Sequence, residues 1–301
     1  MPFPQEMVVL LEPRYNRLSE LPALYYNGTR LVMGLNELTD VLINFLKQMT
    51  KENPNLLTVP LEFKVACFTY KISHQEALQI FINYCTIYHT LKPGYTRLYN
   101  EALETIFQYL ELKRPGTEPV VDQGSETQGC LLAILEEVIE NGASASRVKK
   151  EVAKQVNRLI KSTPGTYYPK PRILYLDEET PLELSKDFCA MCELYECHPA
   201  EILDYYMSRI SIAEMDTRWD LRIEEDNCSM YFFMATVFNY LQQHKELLKI
   251  TNEEDEFLQE VEEYRLYLYP IKNLAHRTRL LKEFYEDYYF SVNPNELYYA
   301  N

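Results

Sequence analysis

The sequence predicts an all-α fold made of two related three-helix units, an internal duplication, with extra flanking helices and at most short strand pieces. Three observations predict it. The stretch from Phe63 to Ile82, FKVACFTYKISHQEALQIFI, returns in altered form from Phe188 to Met207 as FCAMCELYECHPAEILDYYM. An offset of 125 residues pairs Phe63 with Phe188, Cys67 with Cys192, Tyr70 with Tyr195, Glu76 with Glu201 and Leu78 with Leu203. Finally, Thr105-Ile-Phe-Gln-Tyr-Leu-Glu111 matches Thr236-Val-Phe-Asn-Tyr-Leu-Gln242. Self-similarity of this kind marks repeated supersecondary units.

Each helix follows from its residues. Positions 63, 66, 67 and 70 are apolar, as are 188, 191, 192 and 195, so each set forms one buried stripe at i, i+3, i+4, i+7 spacing. A second helix starts at Ser73-x-x-Glu76, a capping box. In the other copy His198, Pro199 and Glu201 take the Ncap, N1 and N3 positions, where proline is tolerated and a carboxylate suits the positive helix end. Ile72 and Cys197 precede these caps and can staple onto Ala77 and Ile202. The third helices carry an offset of 131, which places six extra residues in a loop around Asp216 to Asn227.

The flanks are read from breakers and periodicity. Met7 to Leu11 is a short strand or arm, followed by the breakers Leu21-Pro22 and Asn27-Gly28. Leu38, Val41, Leu42, Phe45 and Leu46 predict a helix that stops before Asn53-Pro54. Pro60 leads into the first unit, whose third helix ends at Pro115-Gly116. The polar, aperiodic strip 116–129 predicts a linker between an N-terminal unit, 1–115, and a C-terminal unit, 130–301. Helices are expected over Cys130 to Glu140 and from Ser144 or Ser146 through Lys161. Arg172 to Leu176 is read as a lone strand or brace, and Pro181 as the start of the second unit. Glu253 to Tyr269 and Ile271 to Tyr289 are two further helices, each closed by proline.

With 30 basic and 45 acidic residues the net charge is −15, which argues against a whole-surface role on nucleic acid or anionic lipid. The start of the chain lacks a basic segment followed by an apolar one, and its longest apolar run, Met230 to Phe238, is far short of the ~20 residues a bilayer requires. A cytoplasmic protein with reduced thiols is therefore expected, its seven cysteines acting mainly as small buried hydrophobes.

Five constellations bear on function. Cys189-x-x-Cys192-x4-Cys197-His198 has zinc-like residue types, but packing and capping already account for Cys192, Cys197 and His198, so no metal site is expected. A helix-turn-helix reading of Phe63 to Ile82 fails on charge. The outward positions Gln75, Glu76, Gln79, Asn83 and Ala200, Glu201, Asp204, Ser208 supply none of the cations that phosphate requires. Arg147 to Lys161 is a basic helix with Val148, Val152, Val156, Leu159 and Ile160 on one side and Arg147, Lys150, Lys154, Arg158 and Lys161 on the other. It is a solvated face, a match for the acidic run Glu253 to Glu256, or a grip on an anionic partner. Trp219, the single tryptophan, lies in the inserted loop beside Arg218, Asp220 and Arg222, where exposure would make it a binding anchor. The tyrosine-rich end, Phe284 to Phe290 with Tyr298-Tyr299, is expected to dock on the body or on a partner.

None of His74, His89, His198, His244 and His276 sits in a catalytic motif, no phosphate-cradling glycine loop occurs, and the acidic pairs lack ligand histidines. The sequence thus points to a non-catalytic intracellular scaffold or adaptor with no cofactor, no metal and no membrane role, which binds a protein partner or itself. A nucleic-acid regulator using the basic helix is the second reading. An enzyme with a pocket between the two units is the third.

Overall fold

The computed structural model describes residues 7–10, 23–26, 29–32, 55–91, 97–113, 145–162, 165–176, 180–224 and 226–294. The chain divides into two compact units, Met1–Pro54 and Asn55–Asn301. The linker expected at 116–129 and the helices expected at 35–52 and 130–140 lie outside the described residues, as do Tyr298 and Tyr299.

In the first unit β1 (Met7–Leu10), β2 (Ala23–Tyr26) and β3 (Thr29–Val32) form an antiparallel sheet in chain order, with Val9 opposite Leu24 and Tyr26 opposite Thr29. The strand at Met7 was expected and its two partners were not. Asn27-Gly28, read only as a breaker, is the dipeptide favoured between paired strands.

The second unit is mostly helical. Its helices are α1 (Leu61–Thr69), α2 (His74–Tyr84), α3 (Ile87–Leu91), α4 (Arg97–Lys113), α5 (Ala145–Ser162), α6 (Lys186–Leu194), α7 (Pro199–Ser208), α8 (Ile212–Leu221), α9 (Cys228–Gln243), α10 (Asn252–Tyr267) and α11 (Leu274–Val292). It also holds a mixed sheet, β4 (Leu56–Leu57) parallel to β5 (Ile173–Leu176), and β5 antiparallel to β6 (Thr180–Glu183). This corrects three expectations. The strands assemble into sheets instead of standing as isolated pieces, Ile173–Leu176 is the central strand and not a lone one, and Pro181 lies in β6. Ser185 is the true start signal, its Oγ accepting the Phe188 N–H at 3.1 Å. Pro181 suits β6 because an edge strand has no need of every N–H.

The expected helix starts are present. Ser73 Oγ accepts the Glu76 N–H (3.1 Å) and Glu76 reaches back to the Ser73 N–H. At α7, His198 Nδ1 accepts from the Ala200 N–H (3.2 Å) while Glu201 accepts from the His198 N–H (3.3 Å). The turns before these caps are alike. Lys71 and Glu196 both adopt left-handed backbone, φ 55° and 51°. Behind them the Ile72 N–H bonds Cys67 O and the Cys197 N–H bonds Cys192 O, both at 3.1 Å. This is the Schellman closure, which satisfies carbonyls that a helix end leaves over.

Phe63, Phe81, Phe188, Tyr206, Phe232 and Phe233 fill the centre of one continuous core. Phe81 and Tyr206 stack at 4.1 Å with planes 12° apart, and Phe188 and Phe232 meet Phe81 edge-on. Around this centre α4 packs on α9, α5 on α6, α11 on α1, and α8 on α11. One polar contact occurs twice. Tyr109 Oη on α4 donates to Glu201 at the start of α7 (2.7 Å), and Tyr240 Oη on α9 donates to Glu76 at the start of α2 (3.1 Å).

Of the stretch expected to be an inserted loop, Asp216 to Asn227, the first part to Leu221 belongs to helix α8. Ser211 caps this helix by accepting the Glu214 N–H at 3.2 Å. The aromatic end Phe284 to Phe290 lies on α11 and packs within the chain. Phe257 stacks on Tyr288 at 3.5 Å, and Tyr289 meets Phe68 edge-on at 5.4 Å.

Candidate functional site

The basic helix forms as expected. Val148, Val152, Val156 and Leu159 are buried towards α6, and Arg147, Lys150, Lys154, Arg158 and Lys161 are all exposed. Lys150, Lys154, Arg158 and Lys161 line an open groove of about 400 Å³ with Ala153 and Asn157, a lining that does not include Arg147. Lys154 pairs with Glu151 (3.3 Å). Among the described residues no ion pair joins the basic helix to the acidic run, and Glu254 instead receives Lys71 at 2.8 Å and caps α10 through Thr251. The helix-turn-helix reading also loses its free face. Gln75 and Gln79 donate to the Pro181 and Glu183 carbonyls of β6 at 2.7 and 3.0 Å, because α2 lies against that strand.

Trp219 stands on the last turn of α8 and is 79% exposed. Its position is rigid for two reasons. Helix α8 ends in a left-handed Arg222 (φ 55°), with the Ile223 N–H closing onto Arg218 O at 2.9 Å. The neighbouring Asp220 receives two hydrogen bonds from Arg265 (2.6 and 3.2 Å) and a further one from Arg277, which is 1% exposed. These pairs tie the end of α8 to the end of α10 and to α11. Ile223, just past this helix end, and Leu266, Tyr267 and Tyr269, which follow Arg265 in the chain, are exposed as well. Residue type alone marks Trp219, whereas Leu266, Tyr267 and Tyr269 carry no such signal in the sequence. Tyr267-Leu268-Tyr269 before Pro270 was read only as a helix end.

A cavity of about 720 Å³ opens beside the turn from Cys67 to Ile72, between that turn, α8, the 3₁₀ turn Lys245–Leu248, α10 and α11. Most of its wall is apolar or aromatic, with Phe68, Ile212, Leu241, Phe257 and Val261 among the contributors. Its charged groups are Lys71, Asp216, Glu254, Glu262 and Arg265. Tyr285 Oη donates to Asp216 Oδ2 at 2.8 Å, and Arg265 Nη1 approaches Asp216 Oδ1 only to 3.8 Å. Burial raises the Asp216 carboxyl above its usual range, an effect Arg265 and Tyr285 oppose. Tyr70 is pushed up to about 12, by burial first and then by Asp216. No sequence signal announces this site, since its walls come from five separated segments.

Comparison with family models, with curated proteins and with solved structures gives no match.

The cysteine cluster serves packing. Cys67, Cys85, Cys189, Cys192 and Cys197 are buried, and His198 spends Nδ1 on the α7 cap. Among the described residues no group of three or more His, Cys, Asp or Glu is arranged to hold a metal ion. Burial raises the Cys189 thiol to about 12 and pushes Cys67, Cys85 and Cys192 up as well, which keeps them from the reactive thiolate form. Because all five thiols are buried, iodoacetamide is expected to leave them unlabelled in the native protein and to label all of them in denaturant. Peptide mapping by mass spectrometry reads this, and native labelling of Cys192 or Cys197 would contradict it. No described helix is long and apolar enough to cross a membrane.

Proposed function

We propose that this protein is a non-catalytic helical scaffold that binds a protein partner through the apolar surface around Trp219. The observation that carries the reading is the exposure of Trp219 on a helix end pinned by the Asp220, Arg265 and Arg277 pairs. Binding hot spots are enriched in tryptophan and tyrosine, and a preorganised anchor loses little freedom on docking. Leu266, Tyr267 and Tyr269 supply further exposed apolar area near the same ion pairs. The scaffold itself reads as a doubled module. The shared Schellman turns, the paired capping boxes and the reciprocal Tyr109–Glu201 and Tyr240–Glu76 bonds support this.

The basic helix gives a second reading, a nucleic-acid-associated regulator. In its favour, Lys150 and Lys161 are exposed and make no ion pair among the described residues. Against it stands the net charge of −15, which repels a polyanion over most of the surface.

One set of variants separates the two. Trp219→Ala is expected to weaken capture of a protein partner, or self-association read by light scattering, by about 30-fold, the effect of losing a hot-spot aromatic. Its unfolding midpoint should stay at the wild-type value because the side chain is exposed. Since Trp219 is the only tryptophan, its emission should shift to the blue on association. Charge reversal at Lys150, Lys154 and Arg158 should leave this association intact. Full retention of every association by Trp219→Ala and by Tyr267→Ala would remove the proposal. Salt-dependent nucleic-acid binding that charge reversal abolishes would favour the second reading.

A further inference from the structure

The cavity beside the Cys67–Ile72 turn has a chemistry that the scaffold reading does not use. Its volume of about 720 Å³ lies within the range of small-molecule sites, roughly 300–1,000 Å³, and its wall has their usual makeup, mostly apolar with a few polar groups. Which head group it suits follows from the charged groups one by one. Lys71 Nζ is committed to Glu254 (2.8 Å) and to the Lys249 carbonyl (3.1 Å). Arg265 is committed through Nε and Nη2 to Asp220 and through Nη1 to Glu262 (2.9 Å). Neither cation has its charge to spare for an anionic ligand. The carboxylates differ. Three of them, Asp216, Glu254 and Glu262, face two cations in the lining. Asp216 Oδ1 accepts no hydrogen bond among the described residues, because Arg265 stands at 3.8 Å, beyond hydrogen-bond range. Tyr70, Phe257, Tyr285 and Tyr288 bring aromatic rings to the same cavity. Aromatic faces attract cations and not anions.

We propose that this cavity binds a small cationic amphiphile, an amine with an apolar body, whose ammonium group donates to Asp216 Oδ1 while its body lies against Ile212, Phe257 and Val261. Arg265 lines this cavity and also holds Asp220 beside Trp219, but the lining includes none of Trp219, Leu266, Tyr267 and Tyr269, so either proposal can fail without the other. A carboxylate of the same length would meet Asp216, Glu254 and Glu262 with like charge and would leave Asp216 Oδ1 without a donor.

The test is calorimetric titration of the full chain with decylamine, decanoate and decanol below their aggregation concentrations. Decylamine is expected to bind saturably at one site, and decanoate about tenfold or more weaker, the scale of a charge-assisted hydrogen bond gained or lost. Asp216→Asn should remove the preference for the amine. Leu258→Lys places a cation on an exposed residue of the cavity wall and should weaken the amine by a similar factor with the fold intact. If Asp216→Asn does not fold, because Asp216 also holds Tyr285, Leu258→Lys decides alone. Equal binding of amine and carboxylate, binding that does not saturate, or amine binding untouched by Leu258→Lys would each overturn the proposal. None of these results bears on Trp219→Ala.

Discussion

Asp220→Ala is expected to destabilise the helical unit by about 3–5 kcal/mol, the cost of removing one partner from a buried ion pair. Asp220 is the only carboxylate hydrogen-bonded to Arg277 among the described residues. Arg277 is 1% exposed, and its Nε and Nη1 are already buried without a hydrogen-bond partner among the described residues. The substitution therefore strands a charge inside the protein and also takes from Arg265 the carboxylate that holds two of its nitrogens. Arg277→Met should cost less. It removes the buried charge, fills similar space and leaves Asp220 paired with Arg265. Urea unfolding checks both, with the midpoint falling further for Asp220→Ala and the slope unchanged. A larger loss from Arg277→Met would mean that the arginine stabilises more than its burial costs.

Phe81→Ala is expected to cost about 3–5 kcal/mol, because deletion of a buried aromatic forfeits its transfer energy and leaves a cavity. Phe81 is fully buried and touches Tyr206, Phe188 and Phe232, whose rings cannot all move into the vacated space. Tyr206→Phe, on the opposite side of the same stack, should be neutral or mildly stabilising. The Tyr206 hydroxyl is buried with no hydrogen-bond partner among the described residues, so its removal relieves a desolvation cost. A loss above about 1 kcal/mol from Tyr206→Phe, roughly one net hydrogen bond, would show that this hydroxyl has a partner after all.

The helices were legible where local rules act. The i, i+3, i+4, i+7 stripes, Ser73-x-x-Glu76, His198-Pro199 and the stop before Pro270 each concern neighbours in the chain, and α1, α2, α7 and α10 lie within a few residues of where those signals put them. The face of α5 was legible for the same reason, since a helix fixes which side chains share a side. Helix α8 carries its own start signal, Ser211-x-x-Glu214, but overlaps the stretch that the pairing of Thr105 with Thr236 assigns to a loop. The sheet of β4, β5 and β6 was missed because Leu56 pairs with Tyr175, far along the chain, and two residues carry no periodicity of their own.

The candidate sites divide in the same way. Residue type marked Trp219 as worth watching, but only packing decides whether a tryptophan is an anchor or a plug, and here α8 leaves it outside. The ion cluster of Asp220, Arg265 and Arg277 joins three helices, and the cavity joins α1, α8, α10 and α11. By itself the sequence determined where the chain coils into helices and which sides of them are apolar, since both depend on residues three or four places apart. Tertiary structure alone decided which apolar faces found a partner, which charges were buried in pairs and where space was left between helices, because those depend on groups that meet only when distant segments fold together.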